Sequence, residues 1–99
     1  MPSLIRYKVK QEWAAANEQL VRAVYAELHQ TKPEGLRYAT FQLDDAVSFV
    51  HLASLGDGPN PLSQLPTFKR FQENIADRCE EQPVVTSARE IGSYRFFGD

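Results

Sequence analysis

Leu36-Arg37-Tyr38-Ala39-Thr40-Phe41-Gln42-Leu43 and Ala46-Val47-Ser48-Phe49-Val50-His51-Leu52-Ala53-Ser54-Leu55 are two alternating runs on either side of Asp44-Asp45. Two turn-forming residues between such runs predict a β-hairpin. Asp-Asp is a weaker turn than Asp-Gly, so a longer loop also fits these runs. Pairing symmetric about the turn sets Tyr38 opposite His51, Thr40 opposite Phe49 and Gln42 opposite Val47. A one-residue bulge would change these partners. Side chains alternate across a strand, so the other face carries Ala39, Phe41, Leu43, Val50 and Leu52.

Upstream of the hairpin, Leu4–Lys10 alternates Ile5, Tyr7 and Val9 with Arg6, Lys8 and Lys10, which predicts a half-buried strand. Glu12 to about Gln30 is rich in Ala, Leu and Glu and free of Gly and Pro. It predicts a helix with Leu20, Val21, Val24 and Leu28 as the buried stripe. Thr31-Lys32-Pro33-Glu34-Gly35 ends it, because proline cannot continue a helix. Downstream, Gly56-Asp57-Gly58-Pro59-Asn60-Pro61 predicts a loop. A second helix is expected from about Ser63 or Pro66 to Cys79 or Glu80, striped by Leu65, Phe68, Phe71, Ile75 and Cys79. Gln82-Pro83 is read as its break. Val84–Phe97 is expected to be a long last strand, bent at Gly92.

The order is therefore βαββαβ over residues 1–99, a single α+β domain. It predicts a ferredoxin-like two-layer sandwich, a four-stranded antiparallel sheet with two helices on one face. Tyr38, Phe49 and other apolar groups are expected on the second face, which would then need a cover. A second copy of the chain, with Phe96 and Phe97 near the partner surface, supplies one.

Composition removes several function classes. The 99 residues are 42% hydrophobic and 24% charged, an ordinary globular balance. Net charge is −2 and no basic stripe exists to displace counterions, so nucleic acid is an unexpected partner. No apolar run approaches the ~20 residues that span a bilayer. The N-terminus lacks the apolar core of a secretory signal, and the single Cys79 suits a reducing, cytoplasmic setting. His29, His51 and Cys79 have no ligand spacing around them, so no metal is expected. Gly56-Asp57-Gly58 lacks both the P-loop and the dinucleotide spacing.

Phe49-Val50-His51-Leu52, the stretch Leu65-Pro66-Thr67-Phe68-Lys69-Arg70-Phe71, the element order and the length together resemble the antibiotic biosynthesis monooxygenase-like group of dimeric α/β barrels. The resemblance implies a homodimer whose sheets pack face to face, with a cavity between sheet and helices in each subunit. Some members oxidise phenols or quinols with dioxygen and no cofactor; others degrade haem. The sequence departs from the group at several places. Leu52-Ala53-Ser54 stands where members commonly have an acidic residue, Leu55 where tryptophan often follows, and Thr67 where many have histidine. Leu4–Lys10 lacks the asparagine of haem-degrading members, which disfavours that activity.

His51 is the first candidate for chemistry. An imidazole titrates near neutrality and could take a proton from a phenol, whose anion then supplies the electron to dioxygen. Tyr38 lies within cross-strand reach and could orient it. Arg37 could hold an oxyanion. Trp13, Phe49 and Tyr94 are the further residues expected at a small-molecule site. The function so implied is cofactor-independent monooxygenation of a small aromatic, phenolic or quinol-type compound. The alternative is a dimer that binds a small molecule, or serves structurally, without chemistry. RNA recognition uses the same element order, but its third-strand signature is reduced here to Phe49-Val50.

Overall fold

The computed structural model describes residues 2–97. Its strands are β1 (Ser3–Val9), β2 (Leu36–Gln42), β3 (Ser48–Leu55) and β4 (Cys79–Ser87), and its helices α1 (Ala14–Thr31), α2 (Pro66–Gln72) and α3 (Ile75–Arg78). The strands form one sheet in the order β2-β3-β1-β4, and every neighbouring pair is antiparallel. The helices cover one face, which is the ferredoxin-like α+β sandwich.

The first strand decides which face is covered. Tyr7 lies opposite Phe49 and Ile5 opposite His51, so the apolar side of β1 joins the Phe49–His51 side of β3. The charged side of β1, Arg6 and Lys8, aligns instead with Val50 and Ser48. Tyr38 and Phe49, expected on the uncovered face, therefore lie beneath the helices. Tyr7, Val9, Phe49, Val21, Val24, Leu62, Leu65, Phe71 and Cys79 form the core. Tyr7 stacks on Phe49 with ring centres 5.6 Å apart. Phe41, Val50 and Leu52 are on the open face, where Phe41 meets the rings of Phe96 and Phe97 at 6.1 and 6.5 Å.

The hairpin loop spans Leu43–Val47 and is longer than the two residues of the symmetric turn. Asp45 Oδ1 accepts from the amides of Val47 (3.0 Å) and Ser48 (2.8 Å), and its Oδ2 accepts from the Ser48 hydroxyl at 2.6 Å. These bonds hold the Asp45 carboxyl below its ordinary pKa, the Ser48 hydroxyl contributing most. Ala46 takes a left-handed φ of 67° inside this loop. The longer loop moves the register by two residues. Tyr38 pairs with Ala53, Thr40 with His51 and Gln42 with Phe49. A two-residue shift preserves facing, so the same side chains stay together.

The second half of the chain differs more from expectation. One long helix is replaced by α2 and the single turn α3, separated by Glu73 in an extended conformation and Asn74 at φ 59°. Asparagine tolerates the left-handed region better than most residues. The freed carbonyls are taken up by Arg78, whose Nη2 donates to Phe71 O (2.6 Å) and Nη1 to Glu73 O (2.7 Å). The last strand begins at Cys79 and ends at Ser87, the partner of Ser3 at the start of β1. Ala88 N still donates to Pro2 O at 2.8 Å, but the described residues after Ser87 form no strand, so Val84–Phe97 is not one strand. Pro83 sits inside β4. It is tolerated because β4 is an edge strand and the register slips between Arg6 and Lys8, a bulge at that point.

Candidate functional site

The covered face holds a chain of buried and part-buried polar side chains. His51 is 3% exposed, and both ring nitrogens are engaged. Its Nε2 is 2.9 Å from Tyr7 Oη. Its Nδ1 is 2.8 Å from Tyr38 Oη and 2.9 Å from Thr40 Oγ1. Thr40 Oγ1 lies 2.7 Å from Tyr25 Oη. At the other end, Asn17 Nδ2 donates to Tyr7 Oη at 2.9 Å, and Arg78 Nη2 donates to Asn17 Oδ1 at 3.4 Å. Tyr38 reaches His51 although it pairs with Ala53, because diagonal neighbours on one sheet face remain within reach of long side chains.

Donor counting assigns the proton positions. A guanidinium only donates, so Asn17 turns its carbonyl to Arg78 and its amide to Tyr7. The Tyr7 oxygen accepts from that amide, and its own proton then has one acceptor in reach, His51 Nε2. A neutral imidazole with Nε2 accepting carries its proton on Nδ1. That N–H is shared between the oxygens of Thr40 and Tyr38. Burial pushes the His51 pKa down to about 4, so the ring is neutral at pH 7. Burial also raises all three phenols, Tyr25 to about 12 and Tyr7 and Tyr38 further. These hydroxyls thus stay protonated.

Two clefts open beside this chain. One, of about 250 Å³, lies between α1 and the β2–β3 hairpin and is lined by Val21, Tyr25, Thr40, Gln42 and Phe49, with the Glu18–Arg22 ion pair (2.8 Å) alongside. The other, of about 260 Å³, is lined by Tyr25, Leu28, Leu36 and Tyr38 near the end of α1. Tyr25 belongs to both, and its ring stacks on Tyr38 at 5.3 Å. A monocyclic aromatic compound fits either volume. The first cleft brings apolar Val21 and Phe49 beside the hydroxyl residues Tyr25 and Thr40, the amide residue Gln42 and the Glu18–Arg22 pair.

Of the residues expected from sequence, His51, Tyr38 and Phe49 are brought together. Phe49 walls the first cleft, Tyr38 the second, and His51 lies behind both. The other three are elsewhere. Arg37 is exposed and pairs with Ser54 on the open face. Trp13 is 43% exposed in the short 3-10 turn before α1. Tyr94 is 80% exposed in the segment after β4. Among the described residues no group of His, Cys, Asp or Glu is arranged to hold a metal. None of the helices there is long and apolar enough to cross a membrane.

Sequence reading did not single out Asn17, Tyr25, Thr40 and Arg78 as one constellation. Asn17 did carry a signal. It precedes Leu20, Val21 and Val24 at three-, four- and seven-residue steps and is a polar residue on the apolar stripe of α1. Arg78 carried none, because its burial follows from the α2–α3 break.

No protein-family model and no curated protein sequence matches this chain. Solved structures do. Rv0793 from Mycobacterium tuberculosis superposes with a TM-score of 0.70 at 14% identity, over 93% of this chain and 95% of that one. A protein described as an antibiotic biosynthesis monooxygenase gives 0.64 at 18% identity, over 93% and 100%. A variant of SnoaB, a cofactor-independent oxygenase from Streptomyces nogalater, gives 0.61 at 19% identity, over 90% and 92%. Identities this low speak to architecture, and the chain has the fold of solved structures described as antibiotic biosynthesis monooxygenases.

Proposed function

We propose that this protein is a cofactor-independent monooxygenase of a small phenolic or quinol-type compound, held in the cleft between α1 and the hairpin. The observation that carries this reading is the cleft itself, about 250 Å³ and lined by Val21, Phe49, Tyr25 and Thr40. The shared fold with a cofactor-independent oxygenase supports it. The aromatic anion passes an electron to dioxygen, and the radical pair joins at a ring carbon. The peroxide then loses water: a phenol and dioxygen give a quinone and water. His51 is not among the residues lining the cleft. In this reading it and Tyr38 act by fixing the hydroxyls that meet the substrate oxygen, and the substrate proton leaves through the open mouth. A cytoplasmic location and a homodimer formed through the open sheet face belong to the same reading.

The test is oxygen uptake with a catechol, hydroquinone and naphthol panel. Turnover that is lost in His51→Gln, with the fold intact, is the expected result. No uptake on any member would remove the oxygenase reading. A second reading, a binding protein without chemistry, is favoured by one observation. The imidazole is already saturated by three hydroxyls and is a weak base, its pKa near 4. Tight aromatic binding without oxygen uptake would establish that reading instead.

A further inference from the structure

We propose that the Tyr25 hydroxyl is a fixed hydrogen-bond donor into the α1–hairpin cleft, so that the cleft takes an aromatic ligand by an acceptor oxygen, a carbonyl or a phenolate. Arg78 and Asn17 set this polarity as positioning residues. The proposal rests on the cleft being a ligand site and adds which end of a ligand it recognises.

The network is anchored at the end opposite the cleft. Arg78 is 4% exposed, and among the described residues no carboxylate accompanies it. Its Nη2 holds the Asn17 carbonyl, so the Asn17 amide must face Tyr7. Tyr7 then donates to His51 Nε2, and His51 Nδ1–H donates towards Thr40 Oγ1. With Nδ1 protonated, the Thr40 hydroxyl proton has one recorded acceptor among the described residues, Tyr25 Oη at 2.7 Å. Tyr25 accepts it. The proton of Tyr25 meets no further acceptor among the described residues, and the hydroxyl lies in the wall of the cleft. Five links thus run in one direction and end in a donor. The hydroxyl is part-buried in the cleft wall, and a ligand oxygen there gives its proton an acceptor. A ligand offering only an N–H would meet a second donor.

The device can be reversed with a nearly isosteric change. In Asn17→Asp the carboxylate accepts from both Arg78 and Tyr7. Tyr7 can then accept from His51 Nε2–H, leaving Nδ1 to accept from Thr40. Thr40 in turn accepts from Tyr25, which becomes an acceptor towards the cleft. The variant also gives Arg78 a counter-charge, so the fold is retained.

Two measurements test this. Nitrogen-15 NMR of histidine-labelled protein at pH 8 reads the His51 tautomer, with the exposed His29 as internal reference. The expected result is a protonated Nδ1 and bare Nε2 in the parent chain, and the reverse in Asn17→Asp. NMR titration then compares acetophenone, which only accepts, with indole, which only donates. Acetophenone should bind about fivefold more tightly to the parent chain, as expected for one net hydrogen bond. Tyr25→Phe should erase the difference, and Asn17→Asp should favour indole. A parent His51 protonated on Nε2 overturns the polarity. Equal or reversed probe affinities in the parent overturn the donor role of Tyr25. Failure of both probes to bind overturns the cleft as a ligand site, and with it the proposed function, whatever the tautomer.

Discussion

The two faces of the sheet are built from the same strands and have opposite characters. Under the helices, Tyr7, Phe49, His51, Tyr38 and Thr40 are packed and hydrogen-bonded into a single arrangement. On the other side, Phe41, Val50, Leu52 and Val84 stand among Arg6, Lys8 and Arg37, and Val84 is 62% exposed. A polar group inside a covered face must find a partner or lose several kcal/mol, so each one there constrains the next. The open face carries no such obligation. Specific chemistry is therefore expected on the covered side, and association, if any, on the open one.

The sharpest way to break the contrast is to remove the buried cation. Arg78→Met leaves the carbonyls of Phe71, Glu73 and Asn17 without donors, and should cost about 3 kcal/mol in urea unfolding. An equal change on the open face, Arg37→Met, should cost almost nothing.

Acid attacks the same side. Burial disfavours the charged ring, so the His51 pKa falls from its ordinary value of 6.5 in the unfolded chain to about 4 in the folded one. The unfolded chain takes up the proton first as pH falls. The stabilising effect of keeping the ring neutral is therefore full above about pH 6.5 and is lost between there and pH 4. The loss amounts to about 3 kcal/mol. The difference in stability between the parent and His51→Gln should shrink over that window, and a flat difference would contradict a neutral, buried His51.

Much of this was legible in the sequence, and the limits have physical causes. The hairpin, the first helix and the facing of Tyr38 with His51 follow from period-two and helical patterns. The two-residue register error came from loop chemistry, since Asp45 organises a longer turn through Ser48 and Val47. The covered face could have been read from β1, where apolar Ile5, Tyr7 and Val9 oppose Arg6, Lys8 and Lys10. The break after α2 could not, because Arg78 makes it stable through contacts that no local pattern displays. The site was half legible. His51 and Tyr38 stand in one hairpin, whereas Asn17 and Arg78 join them only through the fold.

Smaller changes sharpen the comparison. Tyr7→Phe leaves Asn17 Nδ2 and His51 Nε2 unpaired and should cost about 2 kcal/mol by thermal or chemical unfolding. Val84→Thr on the open face, where the homodimer is proposed, should cost more than about 0.5 kcal/mol and the loss should depend on protein concentration. A loss within that bound at every concentration, in sedimentation and unfolding, would contradict a second copy covering the face.

The most direct measurement is chemical-shift mapping of labelled protein with a small aromatic ketone or phenol. The account predicts shifts at Tyr25, Thr40, Gln42 and Phe49 under the helices. Shifts confined to Phe41, Val50 and Leu52 on the open face would contradict it.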